Sequence, residues 1–377
     1  MPLALINGRV FDGAAMRDGV AVVIEGTRIA AVVPAEQLPA GHAVHDLKGA
    51  LLAPGFIDSQ VNGGAGALFN AAPTVETIRT IGRAHRAYGT TGFLPTLLSD
   101  RLDVVERGIA AVEEAIAQGV PGVLGIHIEG PFLCTARKGI HDASVFQQLA
   151  AEHLPLLTSL RGGRTLVTLA PESAEPSLIT ALAEQGVVVA IGHTDATYAQ
   201  TRTAIEHGAR GFTHLFNAMS PLTSREPGVV GAALEDRDTW CPLIVDGAHA
   251  APATMRIAAR IKPADKLMLV TDAMPTVGDS TKRFALYGRE ITVQGGVCMS
   301  AEGTLAGSDL NMAQAVRNTV AMLQLPSEQA LAMASANPAA FLRLDGEFGR
   351  IAAGFRASLV ALDDELNVVG SWIDGRA

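Results

Sequence analysis

Residues 92–129 read GFLPTLLSDRLDVVERGIAAVEEAIAQGVPGVLGIHIE. An apolar run over 92–97 stops at Ser99-Asp100, and a second run covers 122–128. Between them Leu102, Val105, Ile109, Val112 and Ile116 recur at intervals of 3, 4, 3 and 4, one face of an α-helix. Ser99 and Asp100 stand where an N-cap belongs, and Gly119 where a left-handed terminating residue belongs. Strand, helix and strand in this order form a β/α unit, and such units build parallel sheets.

Outward from this unit the same rhythm repeats from Pro54 onward. Strands are predicted at 51–58, 92–97, 122–128, 165–170, 187–192, 211–214, 243–246 and 266–271. Eight such units in one continuous stretch predict an α/β fold of the closed (β/α)8 TIM-barrel type, since no second Gly-rich nucleotide turn supports two doubly wound sheets. The first fifty residues differ. LALINGRVF (3–11) and GVAVVIEGTRIAAVV (19–33) place Asn7-Gly8 and Glu25-Gly26 between short apolar runs, which reads as β-hairpins. After the eighth strand come a hairpin-like insert over 287–300, helices over 309–323 and 327–342, and strand-like text over 349–375. Neither chain end holds enough apolar residues for its own core, so the two are expected to pair into one small β-sandwich. The expected organisation is 1–53 (first part of the sandwich), 54–343 (barrel) and 344–377 (second part).

The 377 residues are 48% hydrophobic, with 29 Lys+Arg against 38 Asp+Glu, a net charge of -9. This excludes a disordered chain and leaves no basic footprint for nucleic acid, so an anionic ligand needs a local cationic pocket. The longest apolar runs, such as 187–191, fall short of the roughly 18 residues of a membrane span. The first residues lack the features of a signal peptide, and Cys134, Cys241 and Cys298 make no disulfide framework, so a cytoplasmic protein is expected.

In a barrel, reactive groups stand at the C-terminal ends of the strands. Here strand 1 runs into Gln60 and Asn62, strand 3 into His127 and Glu129, strand 5 into His193, strand 6 into His214, strand 7 into Asp246 and His249, and strand 8 into Asp272. Singly, each has an ordinary reading as a cap or a packed histidine. Together, two imidazoles and two carboxylates at one mouth would cost several kcal/mol to bury without a cation. A metal centre follows: Glu129, His193 and His214 as ligands, a water completing the set, and Asp272 handling protons. His127 shares a strand face with Glu129 and reads either as a support behind the ligands or, by preference, as structural.

The segments PGFIDSQVNG (54–63), HIEGPF (127–132), GHTDAT (192–197), THLFNAM (213–219), DGAH (246–249) and TDAM (271–274), in this order, resemble the N-acetylglucosamine-6-phosphate deacetylase family of the amidohydrolase superfamily. The resemblance implies a barrel with a β-sandwich built from both chain ends, and hydrolysis of a sugar acetamide to glucosamine 6-phosphate and acetate. Glu129, His193 and His214 match the family's metal ligands, Asp272 its catalytic carboxylate, and His141 in KGIHD (138–142) the histidine that polarises the amide carbonyl. A metal-bound water would lose its proton to Asp272 and attack the carbonyl, and Asp272 would then protonate the departing amine. The phosphate would be held by His249, Asn217, the Ala218 backbone and Arg225, the arginine coming from the neighbouring subunit of a homodimer. Leu305 with residues 306–308 would line the sugar site.

Where many amidohydrolases carry His-x-His after strand 1, this chain has Gln60-Val61-Asn62. Amides are poor ligands beside imidazole, so Gln60 and Asn62 read as the remnant of a second site, with one divalent ion per subunit. Zinc is the first expectation, with iron or cobalt also suited to the ligand set. The expected partner is an amino-sugar phosphate, with no nucleic acid or membrane. The alternatives are a related substrate such as N-acetylgalactosamine 6-phosphate or an unphosphorylated N-acyl sugar, a cyclic amidase of the dihydroorotase kind, and a metal-free scaffold. Against the cyclic amidase stand the missing His-x-His and the absence of lysine from TLVTLAPE (165–172).

Overall fold

In the computed structural model of the chain, which describes residues 2–377, the β/α rhythm becomes a mixed α/β fold around parallel strands. The strands are β1 (Phe56–Val61), β2 (Thr90–Leu98), β3 (Gly125–Glu129), β4 (Arg164–Leu169), β5 (Val188–Ile191), β6 (Gly211–Phe212), β7 (Cys241–Leu243) and β8 (Leu267–Leu269). The first six form one parallel sheet in sequence order, and β7 and β8 a parallel pair. Single parallel bridges, Gly211 to Trp240 and Val61 to Ala273, join the two ladders at both edges. The strands are buried on both faces, as near-continuous Val, Ile and Leu runs require, and share one large apolar core with the surrounding helices.

Helices follow the strands at Val75–Arg86, Leu102–Ala117, Pro176–Glu184, Tyr198–Glu206, Gly228–Glu235, Pro252–Ile261 and Met312–Leu323. The β3–β4 connection carries only short helical turns and Leu154–Leu157. The helix after β2 starts later than its capping signal suggests. Arg101 precedes it without a side-chain cap bond, because Ser99 continues the buried strand end and turns inward. Gly119 takes the expected left-handed conformation, φ 68°.

The segment expected at 51–58 is two strands. Leu51–Pro54 belongs to a side sheet, and the chain turns at Gly55 before β1. The seventh strand lies earlier than expected, which leaves Asp246 in the loop beyond it. Glu25-Gly26 does join a hairpin, Val20–Glu25 with Arg28–Pro34. Asn7-Gly8 does not: Leu3–Ile6 enters a four-stranded sheet and Arg9–Phe11 a five-stranded one. At this corner Asn7 has φ 57°, which moves the chain between two layers.

The five-stranded sheet combines both chain ends, with Leu359–Leu362 between Leu51–Pro54 and Val368–Trp372. Leu5, Val22, Ile29, Leu52, Leu359 and Trp372 form the core between the two side sheets. The insert after β8 is larger than a hairpin: Arg283–Leu286, Arg289–Gln294, Val297–Ser300 and Leu305–Ser308 make a four-stranded antiparallel sheet. A small cluster of Leu286, Ile291, Cys298 and Ala306 seats it against Leu98, Ile140 and Met274 at the mouth of the parallel strands.

Candidate metal centre and active-site cavity

At the C-terminal ends of the strands, Glu129 closes β3, and His193, His214 and Asp272 follow β5, β6 and β8 within three residues. Three of these adopt left-handed backbone, with φ 49° at His193, 33° at His214 and 52° at Asp272. Such conformations cost about 1–3 kcal/mol each outside glycine and persist where surrounding packing enforces them. They turn each side chain off its strand and into a shared space.

Glu129 Oε1 lies 3.2 Å from His193 Nε2 and 3.1 Å from His214 Nε2, and the two nitrogens are 3.1 Å apart. Among the described residues this is the one group of three or more His, Cys, Asp or Glu side chains placed to share an ion. The fit to a cation is chemical as well as geometric. His193 Nδ1 donates to the Arg137 carbonyl at 3.0 Å, so its Nε2 presents a lone pair to the other two ligand atoms. The spacing approaches the roughly 3.3 Å edge of a tetrahedron with metal–ligand bonds of about 2.05 Å. All three side chains are buried.

Burial pushes Glu129 up, but the close approach of the His193 and His214 imidazoles outweighs it and holds the carboxyl well below its usual range. Burial pushes His214 down, yet its bond to Glu129 raises it overall. Asp272 is raised to about 6, first by burial and then by the charge of Glu129.

Gln60 and Asn62 stand beside this group. Gln60 Nε2 is 3.0 Å from Glu129 Oε2 and 3.2 Å from Asp272 Oδ1, and Asn62 Nδ2 is 2.6 Å from Asp272 Oδ1. Their amide N–H groups thus link the two carboxylates. His127 lies beneath, with Nε2 2.8 Å from Thr168 Oγ1 and Nδ1 3.3 Å from Thr96 Oγ1. Burial lowers it to about 4, so it is a neutral, hydrogen-bonded interior histidine as the sequence indicates.

A cavity of about 220 Å³ opens onto these residues, and its lining includes Glu129, His141, His193, His214, Asn217, Ala218, His249, Asp272 and Leu305. A larger groove, about 1170 Å³, runs past Lys48, Arg86 and Trp372, but it holds none of the ligating group, so size does not identify the site. His249 is fixed by Asp246, whose Oδ2 is 2.6 Å from Nδ1. Asn217 turns its amide back onto the His214 and Leu215 carbonyls, at 3.1 and 3.3 Å, while Ala218 takes φ 50°. Arg225 is apart: it is exposed, outside the cavity lining, and forms no ion pair among the described residues.

Several neighbours escape a reading of strand ends. Glu172 accepts from Thr194 Oγ1 at 2.5 Å and from the Asp195 N–H at 2.7 Å, which clamps the turn after His193. Asp58, raised by burial to about 7, accepts from Thr271 beside Asp272. A charged residue inside the apolar run 51–58 was the available signal for Asp58; for Glu172 there was none. Gly307 closes one side of the cavity at φ 65°, where a Cβ would meet Met274 at 2.7 Å and the Asp272 carbonyl at 2.8 Å.

Comparison with known proteins adds an independent line. A family model described as "Amidohydrolase family" matches residues 51–377, and one described as "NagA composite domain" matches residues 3–52. The chain is 43% identical over 324 residues to an N-acetylgalactosamine-6-phosphate deacetylase of Shewanella sp. (strain ANA-3), covering 86% of this chain and 82% of that protein. It is 33% identical over 379 residues to an N-acetylglucosamine-6-phosphate deacetylase of Haemophilus influenzae, covering 100% and 99%. The crystal structure of N-acetylglucosamine-6-phosphate deacetylase from Pasteurella multocida superposes with a TM-score of 0.96 at 33% identity, over 100% of this chain and 99% of that one.

Proposed function

Since this chain belongs to the N-acetylglucosamine-6-phosphate deacetylase family of amidohydrolases, we propose that it uses a divalent metal to hydrolyse the acetamide of N-acetylglucosamine 6-phosphate to glucosamine 6-phosphate and acetate. The observation that carries this reading is the convergence of Glu129, His193 and His214 with Asp272 on one cavity. A second substrate, N-acetylgalactosamine 6-phosphate, is favoured by the 43% identity to the Shewanella deacetylase of that sugar.

Glu129, His193 and His214 would hold the ion, with zinc our first assignment and iron or cobalt the alternatives. When bound, the ion acidifies a water and polarises the acyl carbonyl. Asp272, raised to about 6, is mostly ionised at neutral pH and still basic enough to take a proton from the attacking water. It then returns that proton to the amine as the C–N bond breaks. His141 faces the same cavity and donates from its ring to the developing oxyanion. Gln60 and Asn62 keep Asp272 oriented between these groups; a remnant of a second site, they serve here as hydrogen-bond donors.

The phosphate is assigned to His249, held by Asp246, to the Ala218 N–H and to Asn217, whose amide would turn out from the His214 and Leu215 carbonyls to donate, with Leu305 against the sugar. Arg225 completes the set from a second subunit of a homodimer, which accounts for its exposure in a single chain. The closed (β/α)8 barrel is the proposed frame, supported by the bridges that join β6 to the β7 region and β8 to β1. The division into 1–53, 54–343 and 344–377 is supported by the separate core of the side sheets. No helix among the described residues is long and apolar enough to cross a membrane, and with the unpaired cysteines this supports a cytoplasmic setting.

The test is acetate release by metal-reloaded protein from both C4 epimers of the phosphorylated sugar, from the unphosphorylated sugar, and after chelation. Metal-dependent release from a phosphorylated sugar is the expected result. No release from folded, metal-loaded protein overturns the reading.

A further inference from the structure

His141 sits in a loop, and no helix or strand sets the direction of its ring. Its Nδ1 is met twice by one residue: the Ser99 backbone N–H lies 3.2 Å away and Ser99 Oγ 2.8 Å away. A backbone N–H can only donate, so Nδ1 must accept and the ring proton resides on Nε2. Nε2 has no protein partner among the described residues, and the ring lines the cavity.

Ser99 is itself held from three sides. Its Oγ also lies 3.3 Å from the Glu129 carbonyl, a second acceptor for the one hydroxyl proton that the shorter 2.8 Å contact gives to Nδ1. Gly130 leaves it no spare room, since a Cβ there would come within 2.1 Å of Ser99 Oγ. Its carbonyl accepts the Tyr287 hydroxyl at 2.7 Å. Tyr287 comes from the insert sheet, in the turn between Arg283–Leu286 and Arg289–Gln294. The insert therefore reaches across the mouth and fixes the residue that fixes His141.

We propose that Ser99 and Tyr287 are positioning residues that set the tautomer of His141, placing its proton on Nε2 as the donor to the acyl oxygen. The inference rests on the reading of His141 given above. With the proton on Nδ1, the ring would turn a lone pair towards the developing oxyanion and repel it; with the proton on Nε2, it offers a preorganised donor.

The test is nitrogen NMR of ring-labelled histidines in the full-length, metal-loaded protein, with the His141 signal assigned by its loss in His141→Asn. The expected result is a ring protonated at Nε2 between about pH 6 and 8. In Tyr287→Phe, which frees the Ser99 backbone, the Nδ1–H form should grow and kcat should fall roughly tenfold with KM and metal content unchanged, while Ser99→Ala, which loses the hydroxyl contact and keeps the backbone N–H, should shift the tautomer less in the same direction. A wild-type ring protonated at Nδ1 overturns the proposal, as do folded variants that keep both the wild-type signal and the wild-type kcat. The wild-type signal needs no substrate and no variant. Failure to release acetate thus defeats the deacetylase reading separately, whatever tautomer is found.

Discussion

Asn62 donates its side-chain amide to Asp272 Oδ1 across 2.6 Å, and the pair spans the two edges of the parallel strands, β1 and β8. Gln60 supports the same oxygen at 3.2 Å. Both bonds favour the ionised carboxylate against the burial that raises it. Asn62→Leu should therefore raise the Asp272 pKa further. Because the base works only when deprotonated, the acid limb of the kcat profile should move to higher pH, by about one unit. A bound dication lowers the limb in both proteins, so the comparison holds. An unmoved limb would show that Asn62 does not tune Asp272.

Asp272→Asn keeps the size of the side chain and removes the proton acceptor. It should fold, retain its metal and lose kcat by about 10²-fold or more. Near-normal turnover would remove Asp272 from its assigned role.

Gln60 and Asn62 spend their amide N–H groups on carboxylates, which leaves no imidazole pair for a second ion. Elemental analysis of purified protein should find one tightly held divalent ion per chain. Two would refute this account of the Gln-x-Asn segment.

Arg225→Ala should raise KM for the phosphorylated sugar and leave metal content untouched. If the arginine crosses a subunit boundary, mixing and reassociating Arg225→Ala with the inactive Asp272→Asn protein should restore low-KM sites. Each mixed dimer would then hold one subunit with intact Asp272 facing an intact Arg225. No recovery on mixing places Arg225 in its own subunit's site or outside it.

His85 is fully buried, with Nε2 2.9 Å from the Gly63 carbonyl, and burial lowers it to about 4. The unfolded chain takes up this proton near pH 6.5, the native protein only near 4. The stability His85 contributes is thus complete above about 6.5 and lost as pH falls towards 4. In His85→Gln this dependence disappears. The stability gap between wild type and variant should shrink by up to about 3 kcal/mol across that interval in denaturant titrations. A constant gap would contradict the burial argument.

The parallel β/α frame and the trio placed to share an ion were legible in the sequence alone. Apolar periodicity reports which face of an element is buried, and polar residues that interrupt it at strand ends stand out. Glu129, His193, His214 and Asp272 could be named because each breaks an apolar run at the same point of its unit. Motif order then carried the expectations for His141 and for a phosphate pocket at His249, Asn217, Ala218 and Arg225, which no local pattern marks. Tertiary structure decided what depends on contacts between distant segments. It gave Ser99 to His141 rather than to a helix cap, split 51–58 between two sheets, and made Asn7-Gly8 a corner instead of a hairpin. It also turned Gln60 and Asn62 into donors for Glu129 and Asp272. The physical reason is common to all four. A side chain that can cap, turn or ligate has several partners of similar energy within its own segment, and only the packing of other segments around it selects one.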